Sequence, residues 1–345
     1  MPTNPNALRS GYCSGLWKGF GFPLGLRLCL MLALSLALFH PEVAIAQSWP
    51  TRTVKLVVPY APGGPVDVCA RILAERLTEV LGQSVVVENK AGGNAVIGTM
   101  AVINSAPDGY TFLVAAPAHT GNMTLMKKPP YDAVKDFAPV SLVMLQPMFV
   151  VVHPSVPANT IGELITLLKN NPDKYNYGTS GTAGPQHLMG EMFKSATGTK
   201  VTHVPYKGAA PASTALLAGE MQISFSTPTN TFPYVKAGKL RALAVSTPKR
   251  SIFAPDLPTL AEQGLAGFEF SSWTAVLAPA GAPRDAIQKL YEALQKVTAS
   301  ADIREKFFLQ GMEVVGSSPE QTGEFIRQDV IRSAKIIREN NITAD

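Results

Sequence analysis

The sequence predicts an α/β protein built as two lobes, each with a mixed, mostly parallel sheet flanked by helices. Three observations carry this expectation. Short β-branched runs alternate with segments whose apolar residues recur every three or four positions, once over residues 54–115 and again over 176–246. Two long apolar segments, 140–152 and 268–280, stand where the chain would leave the first series and return to it. Finally, 345 residues of 46% hydrophobic composition suffice for two cores, and 28 glycines with 28 prolines fit many strand-to-helix turns. Alternation of this kind builds parallel strands with right-handed crossovers, and ligand loops gather at the carboxyl ends of those strands.

At the amino end, Arg27 precedes an apolar run from Leu28 to Phe39 that is too short to span a bilayer, and Ala44-Ile45-Ala46 supplies small residues at signal-peptidase spacing. Residues 1–46 are therefore expected to be a removed export signal, cut after Ala46. Gln47, in place of a cysteine, argues against a lipid anchor. Cys13 and Cys29 leave with this segment, so Cys69 is the one remaining thiol and no internal disulfide is expected. The formal charge is +5; Arg9, Lys18 and Arg27 against Glu42 remove +2, which leaves about +3 on the exported chain. No basic run interleaves with aromatics, so nucleic-acid binding finds no support, while a slightly positive field suits a small anionic solute.

In the first lobe, 54–58 reads as a buried strand, interrupted by Pro62-Gly63-Gly64-Pro65. Cys69, Ile72, Leu73, Leu77 and Val80 then recur at helical spacing, which puts Cys69 on the buried face. A strand is expected over 84–88, a helix over 94–105 with Val96, Met100 and Ile103 on one face, and a turn at Pro107-Asp108-Gly109 into a strand over 111–115. Residues 60–64 and 116–120 thus share one sheet edge. The segment 140–152, broken at Gln146-Pro147, reads as a strand pair crossing between lobes.

In the second lobe, Thr160 and Glu163 form a capping box for a helix ending near Asn171. Strands follow at 176–179, 201–204, 222–226 and 242–246, with helices at 187–196 and 209–218. The segment 268–280, with Trp273 in its middle, returns. Ile287, Leu290, Leu294 and Val297 mark a closing helix, and Ser318-Pro319-Glu320-Gln321 opens the last one with an N-cap, a first-turn proline and a capping-box glutamine. The lobes so drawn are 47–147 with 272–345, and 148–271. Their hinges fall near Gln146-Pro147 and Ser271–Trp273, about which the lobes are expected to close over a ligand.

Gly63 and Gly64 let the backbone approach a ligand with no Cβ between, and the first-turn amides of the next helix are unsatisfied donors. Tyr60, Ala61, Gly63 and Gly64 are therefore candidates for an anion site, with an ordinary tight turn as the alternative. A side chain at Gly64 is expected to intrude on the anion and to be barred by a positive φ. Asp67 lies in the first helical turn, where it suits the helix dipole and can order the loop.

On the other lobe Thr179, Ser180, Gly181 and Thr182 again join a strand to a helix, the one carrying His187, and offer amides and hydroxyls. Tyr206, Lys207 and Gly208 precede a further helix and supply an aromatic wall and a cation, while Ser226 and Thr227 end a strand with hydroxyls. For these the alternatives are solvated loops and core packing.

Catalytic patterns are missing. Thr182 stands where a nucleophile elbow needs its second glycine, and His119, His153, His187 and His203 are isolated from one another and from any cysteine cluster. No P-loop or G-x-G-x-x-G occurs. Neither an enzyme nor a cofactor nor a metal is expected, a hydrolase built on Ser180 being the alternative. Asp67 is the single acidic residue on the candidate loops, and a buried ammonium needs a carboxylate partner. The expected ligand is thus an unaminated organic acid, a dicarboxylate or aromatic carboxylate ahead of an amino acid.

Across nearly the whole exported chain the sequence resembles the Bug family, the periplasmic solute receptors of tripartite tricarboxylate transporters. The resemblance is carried by Val58-Pro59-Tyr60-Ala61-Pro62-Gly63-Gly64, Val87-Glu88-Asn89-Lys90, Ala106-Pro107-Asp108-Gly109-Tyr110-Thr111, Asp136-Phe137-Ala138-Pro139-Val140-Ser141, His203-Val204-Pro205-Tyr206-Lys207-Gly208 and Ser271-Ser272-Trp273. It implies a type II, Venus-flytrap receptor, monomeric and periplasmic, that binds mono- or dicarboxylates. It places one carboxylate on the backbone amides of Gly63 and Gly64 beside Tyr60, and assigns 179–182 to the facing lobe with His187, Tyr206 and Gly208 nearby. The implied partners are the membrane permease components of such a transporter or, alternatively, a sensor protein. Pro65, where many relatives carry serine or threonine, and Ser226-Thr227, where many carry Asp-Asn, depart from the family pattern and bear on the identity of the ligand.

Overall fold

β1 (Val54–Val58) is buried at every position except Lys55, because it runs in the middle of a sheet with helices on both faces. The computed structural model describes residues 49–182 and 184–343; the expected export signal and its cleavage point lie outside them. Gly64 caps α1 (Pro65–Leu81), a proline occupies its first position, and Gly82 ends it in a left-handed conformation whose amide donates to the Thr78 carbonyl. The helix turns Cys69, Leu73 and Leu77 onto β1, all fully buried. Burial pushes the Cys69 thiol well above its ordinary range, so the thiolate needed for reactivity is suppressed. Cys69→Ser is expected to destabilise the fold by about 1–3 kcal/mol through a buried hydroxyl. A denaturant midpoint would register that loss, while ligand affinity should stay unchanged.

β2 (Val85–Asn89) and β3 (Thr111–Ala115) flank β1 in parallel, joined through α2 (Val96–Ile103). β4 (Phe137–Pro147) and the returning β10 (Ser271–Pro279) lie antiparallel to each other, and β11 (Glu313–Val314) closes the edge, giving the order β11-β4-β10-β3-β1-β2. The second sheet contains β5 (Phe149–Val152), β6 (Asn176–Thr179), β7 (Thr202–Pro205), β8 (Ile223–Ser226) and β9 (Arg241–Val245) in the order β7-β6-β8-β5-β9. Both sheets are mixed. Strands are parallel where helices connect them and antiparallel where the chain crosses between the halves. Ser271 and Ser272 pair with Pro147 and Gln146, so the two crossings lie side by side.

Around the second sheet pack α4 (Ile161–Asn170), α5 (Pro185–Thr197) and α6 (Ala209–Leu217). At Thr160 only half of the expected capping box forms, since its side chain accepts from the Glu163 amide while Glu163 Oε2 takes the Asn159 amide instead of that of Thr160; at Ser318 the full box is present and opens α10 (Pro319–Glu339). α10 begins with Ile326 against the first sheet and ends with Ile336 and Ile337 in the core of the second. Besides the helix Ala301–Leu309, three elements left no periodic signal in the sequence. α3 (Ala118–Leu125) is largely polar with an internal glycine, α7 (Pro228–Lys236) carries Pro233 inside it, and β11 is two residues long. α3 is held by tertiary contacts: Thr120 Oγ1 donates to Asp329 Oδ2 at 2.6 Å, and Trp273 Nε1 donates to the same oxygen at 3.0 Å.

Candidate functional site

In each sheet a central strand has its carboxyl end at a topological switch point, where crevices form: β1 between β2 and β3, and β6 between β7 and β8. The two switch points face each other. Ala61 lies so near Gly208 that a Cβ added there would meet the Ala61 Cβ at 3.0 Å, and a Cβ on Gly63 would meet that of Ala210 at 3.6 Å. Asn230 Nδ2, from α7 of the second half, donates to the Gly63 carbonyl at 3.2 Å. The halves are therefore in contact across the crevice.

The first loop owes its shape to Asp67. Its Oδ2 accepts from the Gly63 amide at 2.9 Å and from Arg71 Nε at 2.9 Å, and its Oδ1 accepts from Asn89 Nδ2 at 2.8 Å. Asn89 Nδ2 also donates to the Tyr60 carbonyl at 3.1 Å. Burial works to raise the Asp67 pKa, but the hydrogen bonds from Arg71, Gly63 and Asn89 outweigh it and hold the carboxyl below the usual carboxylate range. The positive φ falls at Gly63 (+83°), whereas Gly64 has an ordinary φ of −81°, so the backbone bar expected at Gly64 belongs one residue earlier. At Gly64 an added Cβ would reach only Ala209 Cβ and the Ala61 carbonyl, both at 3.9 Å. Exclusion there rests on the room left beside it.

That room is an inner chamber of about 30 Å³ walled by Tyr60, Gly64, Ser180, Gln186, Thr227 and Ser272, with several apolar neighbours. This exceeds the about 10–15 Å³ that a water needs, so a water or a small polar group such as a carboxylate has room there. The Tyr60 hydroxyl and Thr227 Oγ1 are buried without a hydrogen-bond partner, and Ser226 Oγ is in the same condition at the end of β8. Burial first, then the Tyr131 hydroxyl, pushes the Tyr60 pKa upward; the Ala118 amide at the start of α3 lies near enough to oppose this without completing a hydrogen bond. Tyr60 is thus a neutral donor. The Ser180 amide donates to Gln186 Oε1 at 2.6 Å, which fixes the second loop.

Tyr60 and Ser180 also wall an outer chamber of about 240 Å³, completed by Asn94, Gly181, Thr182, Tyr206 and Lys207 among others. The structure therefore divides the candidate residues. Tyr60, Gly64, Ser180 and Thr227 line the inner chamber, and Gly181, Thr182 and Tyr206 the outer, while Ala61, Gly63 and Gly208 form the contact between the halves. Asp67, Thr179, His187 and Ser226 stand behind the walls. Thr179 Oγ1 is 2.7 Å from His203 Nε2, and His187 stacks on His203 at 3.9 Å with its Nε2 3.7 Å from Glu191. Burial, then the neighbouring His203 and Lys194, pulls the His187 pKa down to about 3, so it is neutral.

Gln186, Ser272 and Asn94 are lining residues that the sequence reading missed. For Asn94 a signal existed: Gly92-Gly93 precedes a helix just as Gly63-Gly64 does. Among the described residues, no aspartate or glutamate walls either chamber.

Two α/β halves meeting around a donor-lined crevice define a two-lobed solute-binding protein. The chain belongs to the tripartite tricarboxylate transporter family receptors, whose family model matches residues 69–342. It is similar to protein BugT of Bordetella pertussis (strain Tohama I), with 37% identity over 297 residues, 85% of this chain and 91% of BugT. Among solved structures, the periplasmic binding protein BugD matches with a TM-score of 0.82 at 36% identity, over 86% of this chain and 99% of BugD. A protein from R. palustris with adipate also matches at 0.82, with 34% identity over 86% of this chain and 99% of that one. The expected family and fold are borne out, and the chain is a periplasmic solute-binding receptor of this type.

Proposed function

We propose that this receptor captures an unaminated organic acid between its halves and hands it to the membrane components of a tripartite tricarboxylate-type transporter. The observation that carries the reading is the pairing of unsatisfied donors with a scarcity of acceptors: the Tyr60 and Thr227 hydroxyls are buried without a partner on residues that wall a chamber lined, among the described residues, by no carboxylate, and Asp67 is committed to its loop. A carboxylate satisfies those donors, whereas an ammonium would be buried without a counter-charge. The adipate in the R. palustris relative is an acid of this kind. The halves turn about the paired crossings at Gln146-Pro147 and Ser271-Ser272, so that both loops engage the ligand only when closed.

A ligand that binds the closed form stabilises it. At about 100 times its dissociation constant the gain is about 2.7 kcal/mol, and the melting temperature should rise accordingly. Calorimetric titration with matched pairs, succinate against aspartate and benzoate against phenylalanine, tests the chemistry. Tighter binding of the aminated partner would overturn the ligand class, and failure of every organic acid to shift melting would overturn the receptor reading for this crevice.

A further inference from the structure

We infer that a cavity on the far side of the paired crossings is a second binding site, coupled to the crevice, for a neutral apolar molecule that carries a hydrogen-bond donor. This rests on the hinge reading above and adds a site to it. The cavity holds about 370 Å³, within the usual range of small-molecule pockets. Its walls come from both halves: Glu313 on β11 of the first, residues 247–253 after β9 of the second, and Gln146, Pro147 and Ser271 of the crossings between them. Phe253, one of these walls, also packs on Phe308 of the first half with ring centroids 5.1 Å apart.

Sheet order sets the cavity opposite the crevice. In the first sheet β1 carries the crevice and β11 is the far edge, with β4 and β10 among the strands between them; in the second, β6 carries the crevice and β9 is the far edge, with β5 between. Successive side chains of a strand take opposite faces, and β10 divides the two spaces in this way: Ser271 walls the far cavity and Ser272 the inner chamber of the crevice. A rotation about the crossings that brings the crevice walls together therefore draws the cavity walls apart. The halves are in contact across the crevice here, so a molecule that fits the cavity at this width resists reopening.

The lining selects the class of ligand. Leu145, Pro147, Pro248, Ile252 and Phe253 supply carbon surface. Lys249 and Glu313 are exposed and of opposite sign, and Arg250 is held by Glu262, whose two oxygens accept from its Nε at 3.1 and 3.0 Å. Neither charge is favoured. Gln146 sets the polar requirement. It is fully buried, and its Nε2 donates to Thr229 Oγ1 at 2.6 Å and to the Gln310 carbonyl at 3.2 Å. Both N–H bonds are thus spent, and the amide cannot be turned over without setting its oxygen against that carbonyl. Gln146 Oε1 is left as a buried acceptor with no partner among the described residues. Such an acceptor is costly, and a ligand hydroxyl or N–H removes the cost.

Indole, with an N–H, and indene, of the same shape without one, are the probes. Calorimetric titration of the exported chain with its best organic acid would be run alone and with excess probe, on the wild type, Ser271→Phe and Lys249→Trp. Both substitutions place a ring in the cavity, and melting curves would verify that the variants fold. Indole is expected to tighten acid binding to the wild type about fivefold, and the acid to tighten indole binding by the same factor, because such coupling is reciprocal. Indene should do less. Each filling variant should bind the acid about fivefold more tightly with no probe present, and should no longer respond to indole. If indole leaves acid affinity unchanged, acts equally on the wild type and Ser271→Phe, or if neither variant tightens acid binding, the coupled site is overturned while acid binding itself keeps the receptor reading intact. Indene matching indole would overturn the part given to Gln146. If no acid binds, the receptor reading fails instead, and the second site is then judged by whether indole raises the melting temperature of the wild type more than that of Ser271→Phe.

Discussion

Gly208→Val is expected to reduce ligand affinity by about 100-fold or more while leaving both halves folded. Gly208 has a φ of +144°, where an L side chain costs about 1–3 kcal/mol. Its added Cβ would also stand 3.0 Å from Ala61 Cβ and 3.6 Å from the Ala61 amide, on the loop of the opposite half. The two costs act differently. Backbone strain is felt whether the crevice is open or closed, whereas the contact with Ala61 is felt only on closure, and a binding-competent state that is rarely populated lowers apparent affinity by its population. Calorimetry with the best wild-type acid, alongside melting of the ligand-free variant, separates them. Affinity within threefold of wild type would show that closure does not bring Gly208 against Ala61 in solution.

Removal of the Asp67 carboxylate should have the largest effect on stability. Asp67 is buried, and Asp67→Ala leaves the Gly63 amide and the Asn89 side chain without their acceptor. A loss of about 2–4 kcal/mol is expected from such unsatisfied groups. Arg71 adds little to this, since its side chain is 54% exposed and its ion pair is screened. The variant should also bind acids poorly, because nothing then holds the Gly63 loop in shape.

The pH dependence follows from the sign of the shift. The folded-state pKa of Asp67 is depressed, so its contribution is fully present above the unfolded value of about 3.9 and is lost as pH falls through the lower folded value. Chemical denaturation from pH 6 downward should therefore show a steeper acid loss in wild type than in Asp67→Asn. Parallel acid limbs would mean that the Asp67 pKa does not shift on folding.

Much of this architecture is legible in one dimension because the physics is local. The change from β-branched runs to three- and four-residue spacing places β1, α1, β6 and α5 to within a residue or two, and Ser318 with Gln321 fixes the start of α10 by a capping box formed within four residues. The Gly63-Gly64 turn and the hydroxyl loop at 179–182 follow from the same local logic, as does their meeting at the carboxyl ends of parallel strands. Whether Gly63 or Gly64 takes the positive φ was decided elsewhere, by Asp67 and Asn89 pinning the loop from two other elements. The same holds for the placement of His187 behind the wall on His203, for α3 with its polar sequence tied to Asp329, and for Asn94 reaching Gly181. Each depends on a group on another element, from 16 residues away for His187 and His203 to 209 for Thr120 and Asp329. Sequence periodicity specifies which face a side chain takes on its own element. Only the packing of elements against one another determines which distant polar group it finds there, and so which hydroxyls are left for a ligand.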